Sequence, residues 1–294
     1  MDLTTGVRRP ARRPPLAWLG VVPFLVFAIL FLGMPTLLVV IGAFTDAGGH
    51  PTLSNLSILS QHNVVNAYLT SVSISATTAV LGGLLGFFLA YAALHESALR
   101  WLRPVLITFS GVASNFAGVP LAYAFIATLG VTGSVTVLLR DLLHLNLYDA
   151  GLSLYTFAGL ALVYLYFQVP LMVLLMVPTL QGLRREWREA SESLGASSWQ
   201  FWRWVGIPIL TPAVLGAALL LFGNAFGAYA TAYALAQGGI NLVSILIGYY
   251  VAGNVTFDPN AADAMASGMI VIMSACIAIF AVLQRRSSRW IRTR

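Results

Sequence analysis

Six stretches of this chain run for about twenty residues or more without a single Asp, Glu, Lys or Arg. They are Leu16 to Phe44, Val65 to Leu94, Pro104 to Leu129, Ser153 to Gln181, Thr211 to Ala236 and Ala264 to Leu283. An α-helix rises about 1.5 Å per residue, so about twenty apolar residues cross the hydrocarbon of a bilayer. Each stretch is therefore long enough to span. Charge is correspondingly scarce: 9% of the 294 residues are charged, against about 25% in soluble domains. A soluble protein of this size could not cover its surface with so few charges. A water-soluble enzyme, a nucleic-acid binder and a disordered chain are excluded, and an all-α polytopic membrane protein is expected.

The basic residues give the orientation. All are Arg, and the formal charge is +6. Arg8, Arg9, Arg12 and Arg13 precede the first stretch, and Arg100 and Arg103 lie between the second and third. Arg184, Arg185, Arg188 and Arg203 lie between the fourth and fifth, and Arg285, Arg286, Arg289, Arg292 and Arg294 follow the sixth. With six spans these all fall on one side, and Arg140 alone falls on the other. The positive-inside rule then places both termini in the cytoplasm. A seventh apolar run, Ile240 to Val251, is too short to span. Counting it as a span would also send the C-terminal Arg residues outside. It reads as an external short helix or a re-entrant segment within an external stretch, 237–258. The expected organisation is a basic tail over 1–15, one membrane domain over 16–284 and a second basic tail over 285–294. The first apolar stretch is too long for a cleaved signal and reads as an uncleaved span. The tail before it reads as a topology anchor, not a nucleic-acid arm.

Little inside the spans is ionisable. Asp263 is the nearest candidate, about a turn into the last helix, which Asp258 caps and Pro259 opens. Proton or sodium coupling thus lacks its usual carboxylates. No internal repeat is evident, which also counts against inverted-repeat transporters. His50, His62, His95 and His144 are scattered without ligand spacing, and no metal site is expected. Cys276, the single cysteine, reads as a packing residue. Gly82 with Gly86, and Gly223 with Gly227, are small-xxx-small pairs that allow close helix approach. Asn115, between Gly111 and Gly118, reads as one face of the third span. Asn224 reads as one face of the fifth with Gly227, Ala228 and Thr231, with Tyr229 and Tyr233 following. Gln168 lies two residues before Pro170 in the fourth. A polar group in lipid must find a partner or line a wet path. Interhelical bonding and a translocation path are both open for Asn115, Gln168, Asn224, Tyr229 and Thr231.

The segment 184–208 is the most informative. Trp187, Ala190 and Leu194 form an apolar stripe at helical spacing, with Arg188, Glu189 and Glu192 facing elsewhere. Gly195 suits a left-handed helix end. Ser197 and Gln200 match a capping box that opens a second short helix bearing Trp199, Trp202 and Trp204. Those tryptophans suit a membrane–water interface. Thr211-Pro212 reads as the N-cap and first residue of the fifth span. Such a helix–break–helix can dock in a partner's groove, and an amphipathic connector would fit equally.

The spacing resembles the EAA loop of MetI-like permeases of bacterial ATP-binding-cassette (ABC) importers. That pattern is Glu-Ala-Ala, three residues, Gly, nine residues, then Ile-x-Leu-Pro. Here Glu189-Ala190-Ser191, Gly195 and Val205-Gly206-Ile207-Pro208 keep both spacings. Ser191, Val205 and Ile207 are mild departures. The resemblance implies the six-helix type I importer fold, in a bacterial inner membrane. It implies a loop that meets a cytoplasmic ATPase dimer through Glu186, Glu189, Ala190, Ser191, Glu192, Leu194, Gly195, Val205, Ile207 and Pro208. It implies no catalytic residue and no cofactor in this chain, with ATP and Mg on the ATPase. No phosphate-cradling Gly-Lys-Ser/Thr loop is present, since the chain has no Lys. The implied partners are a second permease, a paralogue or an identical copy, and an extracytoplasmic solute-binding protein. Asn224 to Thr231, Gly238-Gly239 and the segment from Ile240 to Asn254 look like permeases of the polyamine, opine, phosphonate and iron/thiamine subgroup. The expected cargo is then a small polar solute. The competing functions are an ion-coupled secondary transporter and a membrane enzyme on lipid-linked substrates.

Overall fold

The computed structural model describes residues 17–95, 99, 101–145, 148–149, 151, 153–236, 239–253 and 257–292. The tail 1–15, Arg100, Gly238, Asn254 and residues 293–294 lie outside these, as do the side chains of 17–20 and 283–292. The described chain is helical. Its one β-type feature among these residues is an isolated bridge between Thr45 and Pro51. Among the described residues six stretches are long and apolar enough to cross a membrane: 21–43, 62–94, 119–143, 157–181, 198–226 and 259–282.

The first crossing is α1 (Ala17–Ala28), a π-helical turn over Ile29–Gly33, and α2 (Met34–Ala43). Residues 21–43 are mostly exposed on this chain, and α2 packs against the last helix. Helix α3 (His62–Leu94) is the second crossing. The third differs from the continuous helix expected over 104–129. It is two helices, α4 (Leu102–Ala113) and α5 (Val119–Leu129), separated at 114–118. Gly118 has φ +77 and ψ −152, a region open essentially to glycine, and Pro120 opens α5 behind it. The chain then turns through Gly130 to Gly133, where Gly133 is extended, and forms α6 (Ser134–Leu143). Helix α6 carries Arg140 and Asp141, so it belongs outside the membrane although its apolar residues continue the stretch.

Helix α7 (Phe157–Gln181) is the most enclosed crossing, and its N-terminus is capped by the Thr156 hydroxyl. Helices α8 (Arg185–Ser193) and α9 (Ser198–Phe201) follow. A π-helical turn over Trp202–Gly206 then joins α9 to α10 (Ile207–Phe226) without interruption. The fifth span therefore does not start at Thr211-Pro212. The Thr211 hydroxyl donates to the Ile207 carbonyl at 2.7 Å, and Pro212 lies inside the helix. Proline in position six of α10 removes one ladder donor, the one that would have reached the Pro208 carbonyl. After a break at Gly227–Ala228, α11 (Tyr229–Ala236) completes the span. The apolar run after it is α12 (Val243–Ala252). The last crossing, α13 (Pro259–Arg292), starts with Asp258 accepting from the Ala261 N–H at 3.0 Å, as its cap predicts. Its helix runs on through the basic residues to Arg292.

Helices α3, α7 and α10 form the centre. Along α3 a stripe of small residues, Ser71, Ser75, Thr78, Gly82 and Gly86, is buried. A Cβ on Gly86 would sit 2.5 Å from the Met172 Cβ and 2.6 Å from the Val169 carbonyl oxygen. One on Gly82 would sit 2.9 Å from the Gln168 Cβ. The backbones of α3 and α7 thus approach as closely as glycine allows, which is how helices gain packing energy in lipid. Gly223 and Gly227 do not form a second such pair. Gly223 faces the flexible Met273 side chain of α13, and Gly227 is exposed at the end of α10.

Helix α12 is neither a span nor a loose external segment. Its first N–H, at Val243, donates to the Ser71 hydroxyl of α3 at 2.9 Å. Ser71 lies nine residues into α3, roughly 13 Å along its axis. The short helix therefore enters beside α3 and returns, a re-entrant element, with Val243, Ile245 and Leu246 buried. Asn241 anchors the approach by donating to the Asn63 carbonyl at 2.8 Å and to its side-chain oxygen at 2.7 Å.

Candidate functional site

The segment from α8 to α10 stands away from the core. No residue of α8 is buried, and Leu194 is 88% exposed. The apolar stripe of Trp187, Ala190 and Leu194 is thus uncovered by this chain. Gly195 ends the helix at φ +79. Its N–H donates to the Glu192 carbonyl at 2.9 Å, and the Ala196 N–H to the Ser191 carbonyl at 3.0 Å, a Schellman arrangement. Ser197 and Gln200 then form the reciprocal capping box. Two exposed ion pairs run along α8, Arg185 with Glu189 at 2.9 Å and Arg188 with Glu192 at 3.0 Å. Such pairs contribute only about 0.3–0.5 kcal/mol and are readily exchanged for other partners. Glu186, in the first turn, is exposed and favours the helix dipole.

Between α8 and α9 lies an open cleft of about 330 Å³, lined by Ser191, Leu194, Gly195, Phe201 and Val205 among others. Trp199 and Trp204 point outward, as an interfacial position predicts. Trp202 does not. It turns inward against Tyr91 of α3, ring centroids 5.5 Å apart, and its ring covers Gly206. Any side chain at Gly206 would collide with that ring, so this glycine is what lets the π turn close over Trp202. Ile207 and Pro208, the end of the motif, are exposed on the same segment.

The polar residues of the spans separate into two groups. Gln168 is fully buried between α7 and α3. Its amide donates to the Thr78 hydroxyl at 2.9 Å, and its side-chain oxygen has no partner among the described residues. It lies in a helix–helix contact, away from any exposed face of this chain. Thr231 is also buried and accepts from the Gly118 N–H at 2.7 Å. Asn115, Asn224 and Tyr229 are exposed. Asn115 is not on a continuous helical face with Gly111 and Gly118, because the helix ends between them. Its amide instead donates to the Gly111 carbonyl at 2.9 Å. Asn224 and Thr231 likewise stop sharing a face at the break after α10.

The two breaks meet. Gly118, at the start of α5, donates to Thr231 of α11, and the buried Tyr164 hydroxyl of α7 donates to the Ala228 carbonyl at 3.0 Å. Backbone groups freed from two helices are thereby satisfied inside the protein, the condition under which lipid tolerates irregular backbone. Tyr164 and Ser71 are residues that the span-by-span reading overlooked. Ser71 had a visible signal, the four-residue recurrence of small polar groups along α3. Tyr164 had none, since one tyrosine in an apolar helix does not say which carbonyl it will meet.

Three comparisons place this architecture among known proteins. A family model described as "Binding-protein-dependent transport system inner membrane component" matches residues 82–293. The chain is 26% identical over 240 residues to the sulfate transport system permease protein CysT of Escherichia coli, covering 79% of this chain and 80% of that protein. It is 27% identical over 197 residues to the thiamine transport system permease protein ThiP of the same organism, covering 67% of this chain. The chain spans only about a third of the thiamine relative's length, 33%. Among solved structures it is similar to a bacterial ABC transporter involved in the import of the acidic polysaccharide alginate. There the TM-score is 0.69 at 15% identity, covering 92% of this chain and 95% of the other. The MetNI methionine ABC transporter, in inward-facing form, matches with a TM-score of 0.53 at 13% identity, covering 77% and 99%. These likenesses establish the type I importer permease fold.

Proposed function

Because the chain belongs to the family of binding-protein-dependent transport system inner membrane components, we propose that it is a permease subunit of an ATP-driven importer, and not an enzyme. Its cargo is a small polar solute, of the polyamine, phosphonate or a related class, and the thiamine and sulfate named by its relatives are small and polar too. An extracytoplasmic binding protein delivers the cargo. A second permease, a paralogue or an identical copy, completes the path. A separate ATPase dimer binds ATP and Mg.

The observation that carries this reading is the uncovered segment from α8 to α10. An apolar stripe with no cover, ended by a rigid Schellman turn, is built to be covered by another protein. Glu186, Glu189, Ala190, Ser191, Glu192, Leu194 and Gly195 form that docking element, with Val205, Ile207 and Pro208 tying it to the fifth span. Because α9 and α10 are one continuous helix, movement at the loop passes directly to the Asn224 region. Glu189 exchanges its Arg185 partner for the ATPase on assembly. Asn115, Asn224 and Tyr229 face the path. Gln168 and Thr231 act from behind it, holding α3 to α7 and α5 to α11.

Glu189→Ala and Gly195→Pro test the proposal. Each is expected to leave the amount of permease in the membrane unchanged and to cut ATP-dependent uptake by about tenfold or more, the loss of roughly 1.4 kcal/mol of coupling. Undiminished uptake by both variants would refute the docking role.

A further inference from the structure

Residues 204–257 contain no Asp, Glu, Lys, Arg or His. Within that stretch three tyrosines from two helices converge. Tyr229 and Tyr233 of α11 stack with ring centroids 5.3 Å apart and planes at 24°. Tyr249 of the re-entrant α12 meets Tyr233 edge-on at 6.3 Å and 64°. The arrangement depends on Gly248, where a Cβ would come within 2.9 Å of the Tyr229 ring and hydroxyl. Glycine there lets the phenol end of Tyr229 rest against α12. The three rings remain 40%, 45% and 39% exposed on this chain. Asn224 is exposed one turn before the helix break that positions Tyr229.

Single tyrosines at a membrane interface need no explanation. Three rings gathered over a re-entrant helix form a surface with a specific chemistry. Aromatic faces carry negative potential and attract organic cations, more strongly when water is excluded. An oxyanion instead needs cationic side chains or converging N–H donors, and this stretch offers no cationic side chain. A sugar needs several planar polar groups for its hydroxyls, and among the described residues of 204–257 only Asn224 is an exposed amide.

We propose that Tyr229, Tyr233 and Tyr249 form a cation-selective aromatic site, so that the cargo is an organic cation, a protonated amine or a quaternary nitrogen, rather than an oxyanion. The inference rests on the reading of the Asn224–Tyr229 face as the translocation path, and it narrows the cargo class left open there. Tyr233 is the central ring because it contacts both others.

The test uses the whole transporter, recovered in lipid nanodiscs through a tag on this chain, with Asn224→Cys in a Cys276→Ser background. Maleimide labelling at position 224 is timed with and without ATP and Mg, and with tetraethylammonium chloride or sodium sulfate as probes. A change of labelling rate with ATP reports on the path. Protection by a probe reports on the aromatic site. Tetraethylammonium at about 10 mM is expected to slow labelling by about threefold or more, and sulfate at equal ionic strength is not. Tyr233→Ala should abolish the protection and Tyr233→Phe should keep it, since the ring face and not the hydroxyl binds. Protection by sulfate, protection by neither probe, or protection that survives Tyr233→Ala overturns the assignment. Cation protection without any response to ATP would support the aromatic site and remove the transport reading beneath it.

Discussion

At the residue scale, Gly83 and Gly86, three positions apart on α3, have different roles. A Cβ on Gly86 would collide with Met172 and the Val169 carbonyl of α7, whereas one on Gly83 would meet nothing within 4 Å. Gly86→Ala must therefore push two helices apart, at a cost of about 1–3 kcal/mol. Gly83→Ala only improves helix propensity, by up to about 1 kcal/mol. In a thermal melt of the detergent-solubilised protein, the first is expected to lower the midpoint and the second to leave it or raise it. Equal effects would show that the α3–α7 contact is looser than described. The small-residue spacing of Gly82 and Gly86 was legible from the sequence as a packing signal. The same spacing at Gly223 and Gly227 was not a pair, because spacing alone does not say whether the helix continues past its second member.

At the element scale, the breaks in the third and fifth crossings are held by each other. Gly118 supplies an N–H that a continuous helix would have used internally, and Thr231 accepts it at 2.7 Å. Thr231→Val keeps the shape and removes the acceptor, leaving a half-buried donor without its partner at a cost of about 1 kcal/mol. Thr231→Ser keeps the acceptor. Hydrogen exchange around residues 114–119 is expected to accelerate in the valine variant and to stay near the parent in the serine variant. Acceleration in neither would mean that water already satisfies Gly118. Helix α8 contrasts with these elements. Its stripe, its glycine end and the capping box after it were all readable, because they are local patterns that a turn or two of chain satisfies by itself. The inward turn of Trp202 was not readable, because it depends on Tyr91, more than a hundred residues earlier.

At the scale of the whole molecule, orientation follows from where the arginines sit. With Cys276→Ser as background, Arg140→Cys and Arg188→Cys place single thiols on opposite sides. A membrane-impermeant maleimide applied to cells with a permeabilised outer membrane is expected to label position 140 and to label position 188 only after lysis. Labelling of both in intact cells would overturn the six-span topology. The same arithmetic had already excluded α12 as a seventh span. Its re-entrant course needed the fold, since nothing local says that Ser71 will receive its first N–H.

The sequence by itself determined the membrane class, six crossings, their direction and the helix–break–helix projecting between the fourth and fifth. Each follows from local apolar length, charge placement or capping chemistry, which bilayer and backbone physics read without reference to the rest of the chain. Tertiary structure alone decided that the third crossing breaks at Gly118, that Gln168 and Thr231 bond behind the exposed face, and that three tyrosines gather over Gly248. Those outcomes depend on which distant group arrives beside each polar atom. A group buried from water takes the partner that packing brings to it, and no spacing along one helix records that choice.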